Sequence, residues 1–188
     1  MSKKYKHYKP KNGLVIGRFQ CFHRGHEFLV RTALDLCEYV YLYIGSAQAS
    51  RTFKDPFSYD ERKQLISLVF HKEIEEGRLH IMPLSDQGFG NSPSWGQYIL
   101  DTISKDFGIT PDLYITGCEK ERSSWFSNKI APHLDELKLT RRYRISGVDC
   151  RNCLRCDEGI KKWTNLVPAE LVGAYEMMRG ICCEPVEN

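Results

Sequence analysis

Gly17-Arg18-Phe19-Gln20-Cys21-Phe22-His23-Arg24-Gly25-His26 decides how the rest of the chain is read. It follows Leu14-Val15-Ile16, a short apolar run that reads as a buried strand. It precedes Glu27-Phe28-Leu29-Val30-Arg31-Thr32-Ala33-Leu34-Asp35-Leu36, which is apolar at helical spacing. Strand, polar turn and helix in that order make the first unit of a nucleotide-binding open α/β sheet. His23 and His26, three residues apart, fall on one side of the first helical turn. Gly25 removes a side chain where a phosphate would approach the backbone.

Outward from this stretch the pattern alternates. The first strand is expected over residues 14–19 and the first helix from about 25 to 38. Tyr39-Val40-Tyr41-Leu42-Tyr43-Ile44 is a strand rich in β-branched and aromatic residues. It ends in the small polar loop Gly45-Ser46-Ala47-Gln48-Ala49-Ser50, at the strand end where α/β proteins place ligands. Ser58-Tyr59-Asp60-Glu61 fits a capping box opening a second helix, which should end before Gly77. A third strand, 79–82, is expected to stop at Pro83. After a Gly-, Ser- and Asn-rich loop, Trp95 starts a third helix. A fourth strand spans 113–116. A fifth is expected over 138–145, although Arg141, Arg142 and Arg144 crowd it. A helix-like piece follows from 148 to 156, then 163–167 and a last helix near Pro168. These units predict a Rossmann-like, doubly wound parallel sheet of about five strands with a short helical C-terminal extension. Residues 1–12, with Lys3, Lys4, Lys6, Lys9 and Lys11, read as a basic flexible tail, and 13–188 as one domain.

Composition narrows the class. A chain of 188 residues can bury a full core without staples. Its formal charge of +3 gives no argument for a nucleic-acid partner. No apolar run is long enough to span a bilayer, and the N-terminus lacks the apolar core of a secretory signal. A cytoplasmic protein with no membrane association is expected, and its eight cysteines are expected to stay reduced.

The chemistry is concentrated in a few positions. His23 and His26 sit at the positive end of a helix and can donate to phosphate oxygens. A zinc site is the competing reading, but no third ligand has a convincing spacing. Arg18 stands beside them at the strand end. Arg151 lies in Ile145-Ser146-Gly147-Val148-Asp149-Cys150-Arg151, a later strand-to-helix turn that a doubly wound fold can bring back beside the first. An arginine there could clamp a triphosphate.

Gly-Arg-Phe-Gln-x-Phe-His-x-Gly-His together with Ile-Ser-Gly-x-x-x-Arg resembles the nucleotidyltransferases that share the His-x-Gly-His signature with class I aminoacyl-tRNA synthetases. Within them, Ile44 to Ser50, Asp55-Pro56-Phe57, Glu61-Arg62 and Trp163-Thr164-Asn165-Leu166-Val167-Pro168 are similar to the archaeal-type nicotinamide-mononucleotide (NMN) adenylyltransferases. Lys120-Glu121-Arg122-Ser123-Ser124-Trp125-Phe126 is similar to a segment of the versions fused to a Nudix hydrolase domain, a domain this chain is expected to lack. The resemblance spans residues from about 13 to 178.

It implies AMP transfer from ATP to NMN, and to nicotinic acid mononucleotide as a further acceptor, giving NAD and pyrophosphate with Mg²⁺ carried by the ATP phosphates and no metal ligand from the protein. It implies catalytic roles for His23, His26, Arg18 and Arg151. Gly17, Phe19, Gln20, Gly25, Gly45, Ser46, Ser146 and Gly147 would bind ATP. Lys54, Asp86, Asn91 and Trp95 would meet NMN, with Trp95 stacked on the nicotinamide ring. Relatives commonly assemble, so a homo-oligomer is an expectation. Two departures stand out: Cys21 replaces a usual proline, loosening the turn, and Val148 replaces a usual threonine. Valine cannot cap a helix, so Ser146 or Asp149 should take that role.

Such chemistry needs no general base, because the acceptor phosphate is already ionised, with a second pKa of about 6. The rival acceptor is phosphopantetheine. A rival of another class is a non-catalytic sensor of NAD or ATP. Cys150, Cys153 and Cys156, with Cys182 and Cys183, also invite a metal reading, against which their overlap with Arg151 counts.

Overall fold

The computed structural model describes residues 10–90, 92–117 and 125–184. The strands are β1 (Asn12–Gly17), β2 (Tyr39–Gly45), β3 (Leu79–Leu84), β4 (Leu113–Gly117) and β5 (Asp135–Leu139). The helices are α1 (Arg24–Leu36), α2 (Tyr59–Val69), α3 (His71–Glu75), α4 (Pro93–Phe107), α5 (Gly147–Arg155), α6 (Ile160–Leu166) and α7 (Tyr175–Cys183), with a 3₁₀ turn at Ala169–Ala174. The strands form one sheet in the order β3-β2-β1-β4-β5, every described pairing parallel. Chain order reverses on either side of β1, so the crevice for a ligand opens at the carboxyl ends of β1 and β4.

Both faces of the sheet are covered, which is why its strands read as near-continuous apolar runs. Val15, Val40, Leu42, Ile44, Ile81 and Ile115 point into one core, beneath α1, α2 and the C-terminal helices. Leu14, Ile16, Tyr41, Tyr43 and Tyr114 point into the other, beneath α4. The C-terminal helices are keyed in by Trp163, which is fully buried and donates its indole N–H to the Leu171 carbonyl at 3.2 Å. Arg24, at the start of α1, reaches across to the Val167 carbonyl at 3.1 Å.

Several boundaries differ from those expected. Residues 10–12 are not tail: the Pro10 and Lys11 carbonyls accept from Glu38 and Tyr39, and the Asn12 N–H donates to Asp112 at 2.7 Å. Pro83 does not end β3, whose pairing with β2 continues to Leu84. β3 is an edge strand, where a missing N–H is tolerated. The helix capped by Ser58 stops at Val69, and a separate short α3 follows. The fifth strand lies earlier than expected, and the arginines at 141, 142 and 144 belong to the loop after it. At the edge of the sheet those charged side chains gain more from water than from a ladder.

Candidate active site

His23 is the N-cap of α1. Its Nδ1 accepts from the backbone N–H groups of Gly25 at 3.1 Å and His26 at 3.3 Å. An accepting Nδ1 leaves the proton of a neutral ring on Nε2, where it can donate outward. Burial lowers the His23 pKa to about 4, aided by the positive charge of Arg141 and opposed by Asp149. At neutral pH His23 is therefore an uncharged donor. The His26 ring stacks on it with centroids 3.7 Å apart, and Phe19 meets His26 edge-on at 4.9 Å. Gly25 also spares the His23 ring a close contact. A Cβ there would sit 3.0 Å from the His23 ring and crowd it in the cap.

The second wall comes from α5. Ser146 and Asp149 form its capping box: the Asp149 N–H donates to Ser146 Oγ, and Asp149 Oδ2 accepts from the Ser146 N–H at 2.7 Å. Those hydrogen bonds from Ser146 hold the Asp149 carboxyl below its usual range. Both candidates for the role left vacant by Val148 thus fill it, and Val148 stands half exposed. Gly147 begins the helix directly against the Gln20 carbonyl, so closely that any Cβ would collide with it. Arg151, buried one turn on, donates from Nη1 to the same carbonyl. The two motifs, more than a hundred residues apart in sequence, touch through one peptide oxygen.

Between these walls lies a cavity of about 290 Å³, the small end of the range for small-molecule sites. Gly17, Arg18, Phe19, Gln20, His23, Gly25, His26, Ser146, Gly147 and Arg151 all line it. So do Arg141, Arg142 and Tyr143, which sequence reasoning assigned to a strand. Their signal was present: three arginines within four residues suit a solvent or phosphate-facing loop better than a sheet. No carboxylate side chain is among the described lining residues. Two helix N-termini, of α1 and α5, end at the cavity and add their dipoles to its positive field.

Other expected residues are placed differently. Gln20 lines the cavity, but its side-chain amide is engaged with Phe57, donating to the carbonyl at 2.7 Å and accepting from the N–H at 3.0 Å. Arg18 is half exposed and pairs with Asp55 at 3.3 Å. Gly45 and Ser46 are not in the cavity lining, and their carbonyls accept from Arg62. Lys54 and Asp86 are exposed and also lie outside it. Asp86 is clasped by Gln48, with two contacts of 3.1 Å joining the loops after β2 and β3. Trp95 is core: one face of its indole carries Tyr98, at 5.3 Å and 30°, and Trp125 meets it at 6.2 Å. Asn91 lies outside the described residues, as does most of the segment 120–126.

None of the described cysteines is in a disulfide. Cys21 is fully buried, and burial, followed by its hydrogen bond with Cys150, pushes its pKa up, so it remains protonated. Cys153 Sγ donates to the Gly159 carbonyl at 2.9 Å, while Cys156 is exposed. Among the described residues no group of three or more His, Cys, Asp or Glu side chains is placed to hold a metal ion. Nor, among them, is any helix long and apolar enough to cross a membrane.

Residues 14–80 match the family described as cytidylyltransferase-like. The chain is 28% identical to the nicotinamide-nucleotide adenylyltransferase of Thermococcus onnurineus, covering 92% of this chain and 86% of that protein. It is 29% identical to the enzyme of the same name from Thermococcus kodakarensis, over 91% and 85%. Among solved structures, it resembles a bifunctional NMN adenylyltransferase/ADP ribose pyrophosphatase from Francisella tularensis, complexed with AMP and a manganese ion, with a TM-score of 0.66 and 21% identity. The match covers 91% of this chain and 52% of that one, so the chain spans about half of the bifunctional protein.

Proposed function

We propose that this chain is a nicotinamide-nucleotide adenylyltransferase, moving AMP from ATP to NMN and releasing pyrophosphate to give NAD. The observation that carries this reading is the meeting of His23, His26 and Arg151 around one cavity whose described charged lining is wholly cationic. Similarity to the Thermococcus enzymes over nearly the whole chain supports the same activity.

In the reaction, an NMN phosphate oxygen forms a bond to the α-phosphorus of ATP. The bond from that phosphorus to the bridging oxygen breaks, and its electron pair leaves with pyrophosphate. The difficulty is electrostatic, since an anion must approach a polyanion. Neutral His23 offers its Nε2–H without needing a proton from solution. Arg18, Arg141 and Arg151, all in the cavity lining, supply the positive charge the transition state needs. A divalent cation would be carried by the triphosphate oxygens, since the described lining offers arginine and histidine rather than carboxylates, and would neutralise charge on the leaving pyrophosphate. The Francisella structure contains a divalent ion, manganese. We place the nicotinamide half toward α4, near Asp86 and Trp95, with Lys54 at its phosphate and the ring meeting whatever face of Trp95 the core leaves open.

The test is to incubate the protein with ATP, Mg²⁺ and, in turn, NMN, nicotinic acid mononucleotide and phosphopantetheine, measuring pyrophosphate and NAD. Turnover with phosphopantetheine but not NMN would overturn the acceptor. Tight NAD binding without turnover would make the protein a sensor. Within an active enzyme, His26→Ala should lower kcat about a hundredfold, the scale for losing one preorganised donor.

A further inference from the structure

Arg62 is an arginine with no access to water and no place in the cavity. It lies on the apolar face of α2, in register with Leu65, Ile66 and Val69, and is 0% exposed. The hydrogen bonds described for it all go to main-chain carbonyls. Nε donates to Ser58 at 3.0 Å, Nη1 to Arg18 and to Gly45 at 2.8 Å each, and Nη2 to Ser46 at 3.1 Å. Burial lowers its pKa and the nearby Arg18 charge adds to that, while the Asp55, Asp86 and Glu61 carboxylates favour its charge. It remains a cation at any relevant pH. A hydrophobic residue would fill this position at lower desolvation cost, so packing does not account for a guanidinium.

What the guanidinium grips is informative. The three non-helical carbonyls belong to the points where β1 and β2 release the chain at the ligand end of the sheet. Each is at or beside a residue in left-handed backbone, Phe19 with φ 54° and Ser46 with φ 48°. Non-glycine residues hold such a conformation only where the surroundings over-determine it. Phe19 and Arg18 line the cavity, and His23 follows within the same turn. Only a planar fork of three nitrogens can reach four carbonyls on three segments; a lysine ammonium has a single donor atom.

We propose that Arg62 is a positioning residue for adenylyl transfer, a buried clamp that fixes the turn after β1 against the loop after β2 and so aims Arg18 at the phosphates. This rests on the function proposed above. The clamp touches no substrate and acts through the first turn.

The experiment is a double-mutant cycle of Arg62→Lys and Arg18→Ala, with kcat and KM for ATP and the thermal midpoint measured for each protein. Leu65→Val, on the same buried face of α2, supplies a control of comparable thermal loss. Arg62→Lys is expected to lower kcat at least tenfold, assayed well below its midpoint, while Leu65→Val stays within about twofold of wild type. In the Arg18→Ala background the same lysine should lower kcat less than threefold, because the residue it aims is gone. Full multiplication of the two losses would overturn the inference, as would a loss that Leu65→Val reproduces. If Arg62→Lys does not fold, Arg62→Gln takes its place in the cycle; if neither folds, Arg62 is a core residue and the inference falls. Should the wild-type protein release no pyrophosphate, the parent reading fails separately. The clamp is then judged by the same cycle on the ATP dissociation constant from calorimetry, and absence of ATP binding overturns it too.

Discussion

His23 serves two masters, capping α1 through Nδ1 and presenting Nε2–H to the cavity, and the cap needs an unprotonated ring. Its folded pKa of about 4 lies below the ordinary 6.5, so between those values the unfolded chain binds more protons than the folded one. Stability is thus complete above about pH 6.5 and is lost as pH falls toward 4, by about 3 kcal/mol if the whole shift is realised. Arg141 and Asp149 face the ring with opposite charge, and His26 stacks on it. Urea unfolding at pH 7.5, 6 and 5 should show the decline, and His23→Gln should flatten its slope. Arg141→Ala should let the His23 pKa rise, read from imidazole chemical shifts, and should raise the KM for ATP about tenfold, the worth of one charge-assisted hydrogen bond. At this scale the sequence announced the histidines plainly, because nothing in a core explains His-x-Gly-His after a strand. It could not disclose that Gln20 is spent on Phe57 or that Arg18 is paired to Asp55, since both partners lie 37 residues away in sequence.

Among elements, the critical contact is the first turn of α5 against the turn after β1. Gly147→Ala would drive a methyl into the Gln20 carbonyl. The helix must then shift outward and carry Arg151 with it. The expected result is a folded protein, by circular dichroism, with kcat reduced at least a hundredfold, since small displacements of positioned groups are expensive in rate. The order of strands and helices was legible from apolar runs and turn residues, and the Ser58 cap from its spacing to Glu61. The position of β5 was not. Asp135-Glu136-Leu137-Lys138-Leu139 has the composition of a loop, and only its pairing with β4 makes it a strand. The role of Trp95 was not legible either, because an aromatic at the head of a helix reads equally as ring stacker or as core.

The whole molecule depends on its C-terminal helices more than their modest length suggests. They close the core that holds α5, and Trp163 is the largest side chain buried there. Trp163→Ala should therefore destabilise by about 3–5 kcal/mol, seen as a large fall in thermal midpoint, and should impair adenylyl transfer although the residue is not among those lining the cavity. The sheet also ends deliberately on both sides. On one flank Pro83 withholds an N–H, and on the other Asp135, Glu136 and Lys138 crowd a short strand with charge. Neither border invites a neighbour to zip on by main-chain bonds. Lateral growth into ribbons or fibrils through either flank is therefore discouraged.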